Sequence, residues 1–467
     1  MKKLYICLLI AFIGSSCKGY LDIKPYGRTI PKTAEEFSAL MHKHLDELDN
    51  GSSNYFVGNA QLLLQWDVEC GDDFEACLTE PGGNTLAIYT GSLLNISSAS
   101  AEYAQLYAVI RDCNIVLGEM KEDGTTLSNK VRATAYALRA VCYYQLLRTY
   151  CEVPETGKFE EQLGVPLVKS FDMEERPIRS SMQATIDLIE SDLKASINYE
   201  CTDDLYRFTQ DVCKGYLARL YFWTKQWDKA LALSQEMLKS HPLIDADAYK
   251  TMMQSTFKIS GNQIIKAYRS YTSSTSTEYT AAVNIIKFRP VSKRFINQFT
   301  SEERTTDVRY SIDVNRKRQA IKPFFCGMRS AEFKLMEAEC YYHLSKPDEA
   351  LASINDLRSL RISNYKEFTM NTLPSLNPDE IIKVDAEGKV LTPLMGLILN
   401  ERRKEMFLEG DRFFELKRNG SPEFWVAYNG RKYTTQKFMY TFPLPATDVE
   451  IVPGLKQNPG YTELVTN

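Results

Sequence analysis

Four charged residues near the C-terminus, Arg402, Glu405, Glu409 and Arg412, follow one another at steps of three, four and three. On a helix those steps share a face on which opposite charges can pair, so the line reads as a ladder of ion pairs. A charge run on its own also fits a solvated face. The surrounding stretch, Leu397 to Gly420, counts against that second reading. Leu399, Met406 and Phe413 recur every seven residues with Phe407 and Phe414 beside them, and helical winding puts such a stripe on one buried side. Gly410 interrupts the pattern, where an interior glycine costs about 1 kcal/mol relative to alanine. It marks either a close backbone approach or a stop before a second helix capped by Asp411.

No arrangement for bond-breaking chemistry accompanies this line. The four histidines, His42, His44, His241 and His343, form no H-E-x-x-H pattern. No G-x-S-x-G, Walker A or G-x-G-x-x-G run occurs, and no Cys-x-x-Cys pair suggests zinc or redox chemistry. A glycosidase needs two carboxylates at a set separation, and none of the 60 acidic residues stands out as such a pair. The sequence therefore reads as a binding protein rather than an enzyme, with no catalytic residues, no metal site and no cofactor.

The elements that would position a binding site follow from the chain's organisation. At 467 residues with a net charge of −4, it has ample core and no basic cluster for nucleic acid. Lys2 and Lys3 followed by the apolar run Leu4 to Ile13 form a targeting segment too short to span a bilayer. That segment ends in Gly14-Ser-Ser-Cys17, a lipoprotein processing pattern that predicts lipidation of Cys17 and a membrane anchor. Nine cysteines remain beyond Cys7 and Cys17, and Cys142, Cys213 and Cys340 sit in helical patterns as small buried groups. Aromatics at 11% suit interlocked helices or a carbohydrate-binding surface.

Residues 50–100 are rich in Gly, Ser, Asn and Thr around Trp66, Cys70-Gly-Asp-Asp73 and Pro81-Gly-Gly-Asn84, a loop composition. From Ala101 helical periodicity takes over in two stripes, Tyr103 to Leu117 and Val131 to Leu146, separated by Gly124. Further helices are expected at about 180–198 and 208–224. Leu217, Ala218, Tyr221, Trp227, Ala230 and Pro242 fit the tetratricopeptide pattern, and Ala338, Tyr341, Ala350, Ile354 and Leu357 repeat it 120 residues later. Residues 243–325, with a short strand at Gln263 to Arg269, and residues 361–393 interrupt the repeats. The expected fold is mainly α: a tetratricopeptide-like helical-repeat scaffold with irregular loop-rich insertions and a few short strands.

The run Glu401-Arg-Arg-Lys-Glu-Met-Phe-Leu-Glu-Gly-Asp-Arg-Phe-Phe-Glu-Leu-Lys-Arg418 resembles the most specific block of the SusD/RagB family, with Glu415-Leu416 where the family has Asp-Leu. Similar matches occur at Leu21-Asp-Ile-Lys-Pro25, Thr149-Tyr-Cys-Glu-Val-Pro154 with Gly164-Val-Pro-Leu167, Asp307-x-Arg309, Phe442-Pro-Leu-Pro445 and Gln457-Asn-Pro-Gly-Tyr461. The resemblance implies a SusD-like fold and an outer-membrane lipoprotein of Bacteroidetes, lipid-anchored and facing the extracellular side. It also implies capture of an oligosaccharide for a SusC-like TonB-dependent transporter; a peptide-binding RagB-like uptake component or a helical-repeat interaction protein is the alternative. Its organisation would be a signal peptide at 1–16, an N-terminal region with the first repeats and ligand loop at 17–225, a repeat plus central insertion at 226–325, and a C-terminal region at 326–467. Family ligand contacts come from the loop after an acidic pair and from the central insertion. Carried over, these are Asp72, Asp73, Glu80, Asn84 and Tyr89, with Trp66, Tyr271 and Tyr279 standing in for a tryptophan that the loop after Asp73 lacks.

Fatty-acid labelling of expressing cells is expected to mark the wild-type chain and to leave Cys17→Ala unmarked. Equal labelling would contradict the processing site.

Overall fold

Both segments in tetratricopeptide register fold as helix hairpins. In chain order the longer helices are α1 (Ala34–Asn50), α2 (Ala101–Glu119), α3 (Thr126–Tyr150), α4 (Met182–Ile197), α5 (Gln210–Trp223) and α6 (Trp227–Ser240). They continue as α7 (Ala246–Gln254), α8 (Thr277–Lys287), α9 (Ser330–His343), α10 (Pro347–Ser359), α11 (Pro393–Glu405) and α12 (Arg412–Arg418). This computed structural model describes residues 31–50, 54–76, 101–172, 174–255, 259–269, 277–287, 289–428 and 431–461. Cys17, Glu80, Asn84, Tyr89 and Tyr271 lie outside them.

The α5–α6 and α9–α10 turns are built alike. Gln226 donates its N–H to the Tyr221 carbonyl at 2.8 Å, and Lys346 donates to Tyr341 at 2.9 Å, in each case across a residue with φ of +60° (Lys225, Ser345). Ala218, Ala230, Ala338 and Ala350 are fully buried, so the small positions of the repeat let paired helices approach while Tyr221, Phe222 and Trp227 fill the space between them. Each helix packs on the next from α2 to α6, and α6 then packs on α9, which also contacts α10 and α11. The repeat array thus continues across the insertion as though residues 244–329 were looped out of it.

Local sequence sets the helix starts. Thr125, Ser181, Asp245 and Thr392 each accept an N–H from three residues on with a side-chain oxygen, capping α3, α4, α7 and α11. Pro393 follows its cap at the first helical position, where its missing N–H costs nothing. Three antiparallel two-stranded ribbons complete the fold: β1 (Leu163–Pro166) with β2 (Arg179–Ser181), β3 (Gln263–Lys266) with β4 (Gly327–Arg329), and β5 (Trp425–Tyr428) with β6 (Arg431–Thr434). The β3–β4 ribbon closes the base of the insertion.

Besides a small cluster around Tyr249 and Phe325, two apolar cores result among the described residues. The main one runs through the repeats and gathers residues from Phe37 to Leu455. The other joins the insertion to a helical segment near the N-terminus, packing Leu63 and Phe74 with Tyr268, Phe295 and Phe407. Cys142, Cys213 and Cys340 are buried free thiols, as their helical positions predict. Among the described residues no helix is long and apolar enough to cross a membrane.

Ala230→Phe is expected to overpack the α5–α6 hairpin and cost about 1–3 kcal/mol. A thermal melt unchanged from the parent would contradict the repeat register.

Candidate functional site

Five consecutive ionisable residues end α11, and all are buried: Glu401, Arg402, Arg403, Lys404 and Glu405 are at most 5% exposed. The helix stops at Glu405, and the chain turns through Leu408 and Gly410, with φ of +55° and +75°, into α12. Gly410 is both a close approach and a helix stop, without the expected cap. Its φ breaks the helix, and a Cβ there would lie 3.2 Å from the Trp66 ring. Asp411 does stand before α12, but it makes no capping bond because both its oxygens take the Arg402 guanidinium, at 2.6 and 2.8 Å.

The expected charge ladder is buried, but it does not pair along itself. Glu405 takes Arg329 at 2.8 Å, Arg361 at 3.0 Å and Arg309 at 3.3 Å, three guanidiniums from well-separated parts of the chain. Glu409 takes Lys322 and Arg329, and Glu401 takes Arg309 and Arg358. Once a helix face is out of water, each charge needs the closest geometry it can find, and partners from other segments surround these groups more fully than a neighbour on the same face. Burial alone would raise the Glu405 carboxyl; the Arg361, Arg329 and Arg309 charges outweigh it and hold the group well below the usual carboxylate range.

The opposite face of α11 reaches the N-terminal loop. Arg403 binds Asp73 at 2.7 Å, Glu380 at 2.8 Å and Asp72 at 3.0 Å, and Arg412 binds Asp72 at 2.6 Å. Asp72 is held below its ordinary range because these two guanidiniums outweigh its burial. The backbone here is tied to the insertion. Ser292 N–H donates to the Asp73 carbonyl at 2.8 Å and Glu75 N–H to Pro290 at 2.9 Å, while Arg318 pairs with Glu75.

Above this anchorage opens a polar cleft of about 390 Å³. Asp72 forms part of its floor, and Glu75, Lys293, Arg294, Asn297, Asp379 and Trp425 carry the groups a ligand would meet. Ser292 caps the short helix Lys293–Ile296 through the Phe295 N–H and so fixes the positions of Lys293 and Arg294. Trp425 is 38% exposed at the start of β5, beside the buried Val426, and Lys432 of β6 lies 5.0 Å from its ring centroid. A partly exposed indole among amide, carboxylate and guanidinium groups can stack on a sugar's C–H face while the rim takes its hydroxyls.

The structure corrects four of the expected contact residues. Trp66 is buried with its ring 5.0 Å from that of Phe414, beneath Gly410. Tyr279 is buried between Tyr268 and Phe324, at 5.0 and 4.3 Å. Both aromatics fill core where the insertion and the N-terminal segment meet the rest. Asp72 and Asp73 are spent on Arg403 and Arg412, so the acidic pair underpins the cleft instead of lining it with free carboxylates. Glu80, Asn84, Tyr89 and Tyr271 remain outside the described residues. Trp425, Arg294 and Asn297 line the cleft, and sequence reasoning passed over them. The signal for Trp425 was the short apolar run Phe424 to Tyr428 before Asn429-Gly430, a strand followed by a turn dipeptide.

Two family models match the sequence, one for the SusD family over residues 248–461 and one described as starch-binding associating with outer membrane over residues 20–222. No curated protein matches it. Several solved structures are similar over nearly the whole chain. A SusD superfamily protein from Bacteroides thetaiotaomicron VPI-5482 is 17% identical with a TM-score of 0.68, over 91% of this chain and 100% of its own. Another, from Bacteroides vulgatus ATCC 8482, is 19% identical with a TM-score of 0.69, over 92% and 100%. A laminarin-binding SusD-like protein is 16% identical with a TM-score of 0.58, over 93% and 100%. At these identities the likeness is one of fold.

Glu405→Ala is expected to cost about 3–5 kcal/mol in urea unfolding at pH 7, because three buried guanidiniums lose their shared anion. A loss of about 0–1 kcal/mol, as for an exposed pair, would contradict the buried network. Glu405 and Glu401 are both held below their unfolded values, so the folded state binds fewer protons there than the unfolded chain. Their stabilisation is complete above about pH 4.5 and is lost as pH falls toward their folded values, so unfolding is expected to ease steeply in acid.

Proposed function

The chain belongs to the SusD/RagB family, and from that premise we propose that it captures oligosaccharides at the outer membrane. It then passes them to a SusC-like TonB-dependent transporter without breaking a bond. The observation that carries this reading is the cleft around Trp425: an exposed indole with Arg294, Asn297 and Asp379 in reach of a sugar's hydroxyls. The laminarin-binding protein of similar fold supports glycan cargo. Capture without hydrolysis fits the cleft's carboxylates, since Asp72 is committed to Arg403 and Arg412 and Glu75 to Arg318. Among the described residues that leaves Asp379 as the cleft's uncommitted carboxylate, where glycoside hydrolysis requires two. Lipidation at Cys17 would hold the protein on the membrane, and the repeat array would offer the transporter a rigid face. Ala76, the last described residue before 77–100, lines the cleft.

Affinity should be modest, because an open polar cleft gains little beyond one or two aromatic stacks. A glycan array probed with residues 18–467 is expected to identify an oligosaccharide that is bound but not cleaved. Trp425→Ala should weaken that binding about tenfold, roughly 1.4 kcal/mol, at an unchanged melting temperature. Peptide binding without glycan binding would overturn the choice of cargo. Release of new reducing ends would overturn the absence of catalysis.

A further inference from the structure

The helices α3, α5, α9, α11 and α12 converge on an interior cavity of about 30 Å³, remote in function from the cleft. Four arginines line it, and three of them are neutralised. Arg219 is held by Glu332 at 2.6 Å, Arg402 by Asp411 at 2.6 Å and Arg418 by Glu339 at 2.9 Å. The remaining carboxylate of the wall, Glu415, turns one oxygen to Arg412 at 3.0 Å. Arg148 is left over: among the described residues it has no ion pair, and its Nη2 donates to the neutral Gln145 amide at 2.9 Å. Its guanidinium lies over the Phe414 ring at 4.0 Å and the Tyr144 ring at 4.8 Å, and its charge acts on Asp411 and Glu102 at longer range.

The hydrogen-bond inventory points the same way. Trp223 Nε1, Arg402 Nη1 and Arg148 Nε, all on residues of this wall, are buried donors without a protein partner. Trp223 and Arg402 are only 4% and 5% exposed, so bulk water does not satisfy them. A buried donor left unsatisfied is costly, and interiors tolerate few of them. Three donors are one more than the two lone pairs of a water molecule can take, whereas a spherical anion accepts from every side. Glu415 Oε1 also lacks a partner.

We propose that this cavity binds one monovalent anion of the halide class, held by Trp223, Arg402 and Arg148. The anion joins helices from the first repeats to the α11–α12 segment and sits beside the Arg148 guanidinium. Glu415 completes the shell when protonated, its O–H serving as a further donor. Burial pushes that carboxyl up to about 7 against the pull of Arg412, Arg402 and Arg418, with Asp411 raising it further. Arg148 and the Arg219–Glu332 pair face it from α3, α5 and α9. Protonation and anion binding therefore favour each other, and the site weakens as pH rises through about 7.

The test uses residues 18–467 at constant ionic strength, comparing sodium chloride and bromide with sodium gluconate. Halide is expected to raise the melting temperature by about 2–3 °C at pH 6 and by less at pH 8. Glu415→Gln, which presents an N–H at every pH, should keep the full shift at pH 8. Trp223→Phe should abolish it. Crystals grown in bromide are expected to show an anomalous peak between Trp223 and Arg402 at millimolar concentration. Melting that ignores the identity of the anion, or a peak seen only at molar bromide without a thermal shift, is an adventitious ion only and overturns the proposal.

Discussion

A charge removed from water must be met by an opposite charge or it costs several kcal/mol, and α11 carries five ionisable groups in succession where water does not reach. Their partners decide how the chain closes. Glu401 and Glu405 recruit Arg309 and Arg329 from the insertion with Arg358 and Arg361 from the end of the repeats. Arg403 recruits Asp72 and Asp73 from the N-terminal loop and Glu380 from the irregular segment before α11. Apolar packing assembles the repeats on local grounds. The insertion packs a separate apolar core with the N-terminal segment, and this set of ion pairs ties it and the other irregular segments to α11.

Recognition follows from that placement. The cleft lies at the seam of four irregular segments: residues 72–76, the insertion near 292–297, Asp379, and the β5–β6 ribbon. None is part of the repeat array, so each can vary in sequence without disturbing the helix hairpins. Residues 72–76, 292–297 and 379–380 are nonetheless tied to α11 through Arg403 and its partners. A scaffold with a charged hub can therefore hold a shaped surface steady while leaving the groups on it open to change, which is what a cargo receptor requires.

Much of this was legible in the residues. Helix spans at Met182–Ile197 and Gln210–Trp223 match the periodic stripes to within two residues, and the 120-residue repeat offset reappears as two turns with one hydrogen-bond pattern. Buried charge in α11 could be inferred from the aromatics that crowd it. The partners could not: Glu405 meets Arg309 across 96 residues, and no local period encodes such a distance. Trp66 misled because a tryptophan in a glycine-rich stretch looks exposed, yet the stretch folds inward as a π-helical turn over Leu64–Glu69 and carries the ring into the core. Asp72 and Asp73 were placed at the right spot for a different task.

Hydrogen exchange in an Arg403→Met variant addresses most directly whether the hub holds the cleft. The methionine keeps much of the packed volume and removes the charge from Asp72, Asp73 and Glu380. The amides of Glu75 and Ser292, which tie the N-terminal loop to the insertion, and of Val291, bonded to Arg318 beside them, should lose protection by about tenfold or more. The amides of Ala230 and Ala350, inside the repeat hairpins, should keep theirs. Equal loss at all five positions, or no loss at any, would contradict a fold in which buried ion pairs hold the irregular segments to an otherwise self-sufficient repeat array.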